Sequence, residues 1–428
     1  MFPTHTSYIC SMTDMQNTPR GLRLHIGIFG RRNVGKSSIL NAITRQHISI
    51  VSEIAGTTTD PVEKAMELLP LGPVLFVDTA GIDEVGDLGR MRVEKTMKVL
   101  DRVDLAIVVT DDIQQYEHDL LALFATRHTP VIVVANKADL RTGDHVEQHA
   151  RAAGATTVVR VSATDGTGIA DLRAALIATA PASFLDTPSI LDGVIGTGDL
   201  VMLVVPVDSE APKGRLILPQ VQTLRDILDN EAMAMVTKER DLAAALARCA
   251  TPPALVVTDS QAFELVSSIV PDEIPLTGFS ILFSRFKGDL AASVEGAMAI
   301  DRLAPGDRVL IAEGCTHHPS GEDIGRVKLP TWLAERAGGP LDVHVYSGQD
   351  FPADLASFKL VVHCGACVLN RRLMLTRIER CHAAGVPITN YGLAIAYIHG
   401  IFERALRPFP DVHDIYGRSQ SLNAASIT

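Results

Sequence analysis

A chain of 428 residues is long enough for two or three domains, each burying its own core. Apolar residues make up 46% and charged residues 21%, an ordinary globular balance, and no apolar run reaches the roughly 18 residues a membrane helix needs. The formal net charge of -11, with no Lys/Arg run longer than two, argues against a chain that lives on RNA or ribosomes, where phosphate neutralisation favours a basic face.

The first twenty residues lack the basic start and apolar stretch of a secretory signal, so residues 1–20 read as a flexible leader with Met12 or Met15 as candidate starts. A cytoplasmic location is expected. From Arg23 to about Ala180 short Val/Ile-rich runs alternate with helix-like stretches. Residues 25–29, 74–77, 105–110, 131–135 and 157–161 are predicted strands of a parallel sheet buried on both faces, with an antiparallel edge strand near 62–69. The alternation predicts a doubly wound α/β domain.

Within this half, Gly30-Arg31-Arg32-Asn33-Val34-Gly35-Lys36-Ser37 follows a strand and opens a helix, the pattern of a phosphate-binding loop. Its glycines let backbone N–H groups face a phosphate at a helix N-terminus. Lys36 would reach the β/γ oxygens, and Ser37, followed by Ser38, would ligate Mg²⁺. Asp78-Thr79-Ala80-Gly81 places a carboxylate for Mg²⁺ and the Gly81 amide near the γ-phosphate. Asn136-Lys137-Ala138-Asp139 ends another strand, and the Asp139 carboxylate can accept two bonds that guanine offers and adenine does not. Those bonds are together worth roughly 3–6 kcal/mol. Ser162-Ala163 fits the loop that contacts guanine O6, and Thr58, within Gly56-Thr57-Thr58-Thr59, is the candidate switch hydroxyl. Order and spacing match the five GTPase motifs, so Lys36, Thr58, Asp78 and Gly81 are the expected catalytic residues. Ile82 stands where many GTPases place a Gln that orients water. Asn33 sits where GTPases of the TrmE/Era-like branch bind K⁺, and this resemblance implies slow, potassium-stimulated hydrolysis.

A Pro/Ser/Asp/Gly-rich stretch at 181–198 reads as a linker. Strands are then predicted at 200–207 and 254–258, with amphipathic helices at 216–229 and 239–248 and a second break at 271–275. The last region again alternates, with strands at 308–312, 341–346, 360–363 and 387–389.

Six cysteines are present: Cys10, Cys249, Cys315, Cys364, Cys367 and Cys381. Cys315-Thr316-His317-His318 and, after 44 intervening residues, His363-Cys364-Gly365-Ala366-Cys367 both follow strand-like runs, so both could sit at one sheet edge. Three readings fit this spacing: zinc held by three Cys and a His, buried unliganded cysteines, or a [4Fe-4S] cluster with three thiolates. The spacing does not choose between them. A helix containing Arg371, Arg372, Arg377 and Arg380 follows, read either as a solvated basic face or as an attractor for an anionic group or acidic partner. Cys249, Cys381, His382 and His344 are expected to be structural.

A TrmE/Era-type GTPase followed by Cys-x-His and then His-Cys-x-x-Cys resembles the [FeFe]-hydrogenase maturation GTPases, the HydF family. The runs Leu24-His25-Ile26-Gly27-Ile28-Phe29-Gly30-Arg31-Arg32-Asn33 and Ala55-Gly56-Thr57-Thr58-Thr59-Asp60-Pro61 share this resemblance. It implies a GTPase domain at residues 21–182, a small α/β dimerisation domain at 183–275 and an α/β cluster-binding domain at 276–428. By motif match Cys315, Cys364 and Cys367 would be the cluster ligands, with His317 or His363 as a possible fourth. The histidines could equally just hydrogen-bond the sulfurs. The resemblance further implies GTP, Mg²⁺ and K⁺ as cofactors, a homodimer or higher homo-oligomer, and a transient diiron precursor. Two radical-SAM maturases would supply it and apo-hydrogenase would receive it. The alternative is an RNA- or ribosome-associated Era/TrmE-like GTPase with a structural metal site. The acidic balance and the lack of a basic-flanked Gly-x-x-Gly motif weigh against it.

Overall fold

Val and Ile runs become strands wherever both faces of a sheet can be covered, since each fully buried aliphatic side chain contributes about 1.5–3 kcal/mol. In the first half, β1 (Leu24–Phe29), β2 (Glu53–Ile54), β3 (Val62–Leu68), β4 (Gly72–Asp78), β5 (Leu105–Thr110), β6 (Val131–Ala135) and β7 (Thr157–Arg160) form one sheet, in the order β2-β3-β4-β1-β5-β6-β7. Every residue of β1 and β5 is buried, and β4, β1, β5, β6 and β7 run parallel. The computed structural model describes residues 18–45, 53–54, 61–79, 95–140, 145–185, 189–207, 216–314 and 323–425. The segment expected as the edge strand, β3, is antiparallel to β4, but the short β2 pairs on its far side and takes the outer position.

Two compact units divide the chain, Met1–Thr187 and Pro188–Thr428. The second holds two four-stranded parallel sheets. One comprises β8 (Leu200–Val204), β9 (Met233–Thr237), β10 (Leu255–Thr258) and β11 (Leu276–Gly278), in the order β11-β10-β8-β9. The other comprises β12 (Arg308–Glu313), β13 (Asp342–Ser347), β14 (Leu360–His363) and β15 (Ile388–Asn390), in the order β13-β12-β14-β15.

The two regions expected here as separate domains share a core. Leu393, Phe402, Leu406 and Phe409 from the end of the chain pack into one cluster with Val201, Leu203, Val256 and Phe279. Polar bonds cross as well: Arg404 Nη1 donates to the Ser267 carbonyl (2.7 Å), and its Nη2 to the Val270 carbonyl (2.6 Å). No helix among the described residues is long and apolar enough to cross a membrane.

The shared core makes a testable demand. Phe402 is 2% exposed and meets Tyr397 and Tyr416 edge-on at 5.0 and 5.1 Å. Phe402→Ala is expected to lower the stability of the Pro188–Thr428 unit by about 3–5 kcal/mol in urea unfolding. A loss below about 1 kcal/mol would mean that the C-terminal helices are not part of that core.

Candidate functional site

In the first unit the strands deliver their carboxyl ends to one edge. β1 leads into Gly30–Ser37, and the helix Lys36–Arg45 starts within that loop. Asn33 takes the left-handed conformation (φ 62°) and is exposed. Gly35 has φ 98°, and a Cβ there would come within 2.2 Å of Asn136 Nδ2, so the loop can approach Asn136 only as glycine. Lys36 Nζ donates to the carbonyls of Gly30 and Arg31, both at 2.8 Å. The Ser37 hydroxyl donates to Asp78 Oδ2 at 2.7 Å, so the two expected Mg²⁺ residues meet. Burial pushes the Asp78 carboxyl up, against Ser37, Lys36 and Lys64, which pull it down. Its other oxygen, Oδ1, is buried and accepts no hydrogen bond, as expected where a cation supplies the missing partner.

Asn136 joins three loops: Nδ2 donates to the Val34 carbonyl (2.8 Å), and Oδ1 accepts from the Ala163 N–H (3.2 Å). Lys137 Nζ donates to Asp111 (2.8 Å), and Asp111 also pairs with Arg31, whose Nε reaches the fully buried Glu117 (2.8 Å). Ser162 is buried, Ser38 is exposed, and Asp139 is exposed at the rim. Asp111 and Glu117, which no GTPase motif contains, brace the loop through Arg31; only the folded sheet brings them together. Thr58, Gly81 and Ile82 lie outside the described residues.

A second constellation occupies the carboxyl edge of the β13-β12-β14-β15 sheet. The register sets Ala312 of β12 against His363 of β14, which brings the residues that follow them side by side. Gly314, which precedes Cys315 in the chain, donates its N–H to Cys364 Sγ at 2.9 Å, and the Ala366 N–H reaches the same sulfur at 3.4 Å. A Cβ at Gly314 would lie 3.3 Å from that sulfur and 3.1 Å from Leu369, so the approach is tight. Ala366 holds a left-handed turn (φ 53°) that aims its amide back at Cys364. Burial pushes the free Cys364 thiol up to about 11, against the pull of these two amides.

His363 is 1% exposed, and both ring nitrogens have protein partners: Nδ1 donates to the Cys364 carbonyl (2.8 Å), and Nε2 accepts from Arg377 (2.7 Å). Burial, with the Arg377 charge beside it, pushes the imidazole down to about 3, so it is neutral. In this arrangement His363, expected as a possible fourth ligand, has no nitrogen to offer a metal.

The arginines after Cys367 depart from both expectations. Arg377 is 1% exposed, donates to the Gly348 carbonyl (2.8 Å) and lies 4.9 Å over the Phe351 ring. Arg371 donates to the Phe286 carbonyl and Arg380 to the Pro352 carbonyl, both at 2.7 Å. These side chains tie the helix Arg371–Ala383 to its surroundings rather than forming a free basic face.

Lys287, unremarked in the sequence, donates to the carbonyls of Ala366 (3.2 Å), Cys367 (2.9 Å) and Leu369 (2.8 Å). Burial draws its ammonium down to about 8, opposed by the Cys367 and Cys364 sulfurs. Sulfur ligands with backbone N–H donors aimed at them suit soft metal ions and iron–sulfur clusters. Among the described residues no group of three or more His, Cys, Asp or Glu is placed to hold a metal ion, and Cys315, His317 and His318 lie outside those residues. Cys381 is buried in the core.

Comparison with known proteins follows the same division. Residues 25–137 match the family described as 50S ribosome-binding GTPase, residues 190–288 the hydrogen maturase F dimerization domain, and residues 291–408 the hydrogen maturase F tetramerization domain. The chain is similar to the tRNA modification GTPase MnmE of Heliobacterium modesticaldum, 39% identical over 171 residues, or 38% of this chain and 36% of that protein. The Aquifex aeolicus MnmE is 40% identical over 149 residues, or 34% of this chain and 32% of that protein. The chain thus spans about a third of the length of these curated relatives. A solved structure of Aquifex aeolicus Era aligns at 20% identity over 57% of this chain and 99% of that one, with a TM-score of 0.31. With a P-loop GTPase domain at its start and both hydrogen maturase F domains behind it, the chain belongs to the hydrogen maturase F family, on the TrmE/Era-like branch of GTPases.

Proposed function

We propose that this protein hydrolyses GTP and carries a [4Fe-4S] cluster on Cys315, Cys364 and Cys367, as a scaffold that delivers a diiron precursor to apo-[FeFe]-hydrogenase. The observation that carries the cluster reading is the Gly314 N–H on the Cys364 sulfur. Cys315 is the next residue in the chain after Gly314, which supports placing its thiol in the same ligand set. Family membership supports the maturation role, and the dimerization and tetramerization domains support a homo-oligomer. The apo-hydrogenase and the two radical-SAM maturases would be the partners, in the cytoplasm. The domains we assign are residues 21–182 for GTP, 183–275 for dimerisation and 276–428 for the cluster, the last two sharing a core.

Mg²⁺, when bound, neutralises developing phosphate charge. Ser37 and Asp78 would hold it, and the partnerless Asp78 Oδ1 supports that role. Lys36 would leave the Gly30 and Arg31 carbonyls for the β/γ oxygens, Asn136 would keep the phosphate loop against the base loop, and Asp139 would read guanine. Thr58 and Gly81 would be the switch contacts. With Ile82 unable to orient water, Asn33 would hold K⁺ in place of an arginine finger. Turnover is then expected to be about tenfold or more faster in potassium than in sodium buffer. Equal rates in steady-state GTP hydrolysis would remove K⁺ from the account.

A cluster bound by three thiolates keeps one iron for an exchangeable ligand, the property a carrier needs. His317, at the Cys-x-His position, is the fourth ligand we favour, a reading supported by the engagement of both His363 nitrogens. After anaerobic reconstitution, about four iron and four sulfide per chain are expected, and Cys364→Ser should lose most of both. Zinc without sulfide would replace this reading with a structural metal site. His317→Ala is expected to remove nitrogen coupling from the EPR signal, whereas His363→Gln should keep it. Loss of the coupling in His363→Gln alone would reverse the assignment.

A further inference from the structure

Lys287 ends the helix Phe279–Lys287, and its side chain is 2% exposed. Its three carbonyl acceptors, at 2.8, 2.9 and 3.2 Å, use all three N–H bonds of an ammonium. A neutral amine has only two, so the geometry is that of a charged group. Charge this far from water needs compensation, and no carboxylate pairs with it among the described residues. The Phe283 ring lies 5.8 Å from Nζ.

The bonds have a direction as well as a charge. Lys287 lies in the stretch matched to the dimerization domain, and the carbonyls it grips lie in the stretch matched to the tetramerization domain. By holding the carbonyls of Ala366, Cys367 and Leu369, it fixes the turn that carries Cys367 and points the Ala366 amide at Cys364. Thiolates and a cluster bring net negative charge into this pocket, and a fixed buried cation stabilises that charge, most of all in the reduced state.

We propose that Lys287 is a positioning residue for the cluster, holding the Cys364–Cys367 loop in its ligating shape while its charge makes the bound cluster easier to reduce. This rests on the iron–sulfur reading above. One-electron reduction adds one negative charge to the cluster, with dithionite as the electron donor in the test.

The experiment titrates the reconstituted full-length chain with dithionite and redox mediators, following the EPR signal of the reduced cluster, in wild type, Lys287→Gln and Lys287→Arg. Gln retains hydrogen bonding to the loop without charge, and Arg retains the charge. At a fixed ambient potential the ratio of reduced to oxidised cluster is expected to fall on the order of tenfold in Lys287→Gln. In Lys287→Arg it should stay within about threefold of wild type. Equal ratios in wild type and Lys287→Gln would overturn the charge role, as would equal falls in both variants. If Lys287→Gln does not fold, Lys287→Arg carries the test alone, and a tenfold fall there overturns the proposal. A wild-type chain that takes up no iron and sulfide refutes the cluster reading itself and takes this inference with it, whereas a loaded wild type with indifferent variants defeats only Lys287.

Discussion

The pairing of Ala312 with His363 across β12 and β14 is the constraint on which the C-terminal chemistry depends. In a parallel pair the two strands end at the same edge, so the residues after them meet there even when 50 positions separate Gly314 from Cys364. A slip of one residue would turn the side chains of β14 to the opposite face and break the bond from Gly314 to the sulfur. The same rule arranges the nucleotide half: β1, β4, β6 and β7 carry the phosphate loop, Asp78, Asn136 and Ser162 to one edge. The nucleotide loops and the thiol loop thus use one topological device, the crevice at the carboxyl ends of parallel strands.

Around the thiol loop the structure relies on buried cations that are each held by several hydrogen bonds. Arg377 holds His363 and the Gly348 carbonyl, and Lys287 holds the carbonyls of Ala366, Cys367 and Leu369. Each is a poor source of stability by itself, because desolvation offsets most of what the bonds gain. Each does specify one geometry, since losing a partner leaves a buried charge or carbonyl unpaired at a cost of several kcal/mol. A loop that must present sulfurs in fixed positions benefits from this kind of restraint. The neutral His363 belongs to the same scaffold, with its nitrogens tied to Arg377 and the Cys364 carbonyl.

What could be read from the residues alone divides along a physical line. β5, β6 and β14 appear at their expected residues because their signal is a continuous apolar run between turn residues. The phosphate loop, Asp78 and Asn136 were legible because their chemistry is local in the chain and their spacing is set by strand and helix geometry. β9 and β11 were not read: Met233–Thr237 is half-exposed, and Leu276–Gly278 is three residues long, too short to show a period. Arg377 looked like surface charge because nothing in its own helix reveals Gly348, Phe351 and His363 across the fold. Lys287 gave no signal at all, since its partners are main-chain carbonyls about 80 residues away, within the span that the bonds themselves set. The packing of the first C-terminal sheet was hidden for the same reason: helices that seal it come last in the chain.

The central proposal is that Cys315, Cys364 and Cys367 act as one ligand set. A short bifunctional thiol reagent applied to the metal-free full-length chain, with the linked peptides identified by mass spectrometry, tests it directly. The account predicts that Cys315 is joined to Cys364 or Cys367. Linkage of Cys315 only to Cys10 or Cys249, with the pair at Cys364 and Cys367 joined to each other alone, would contradict it.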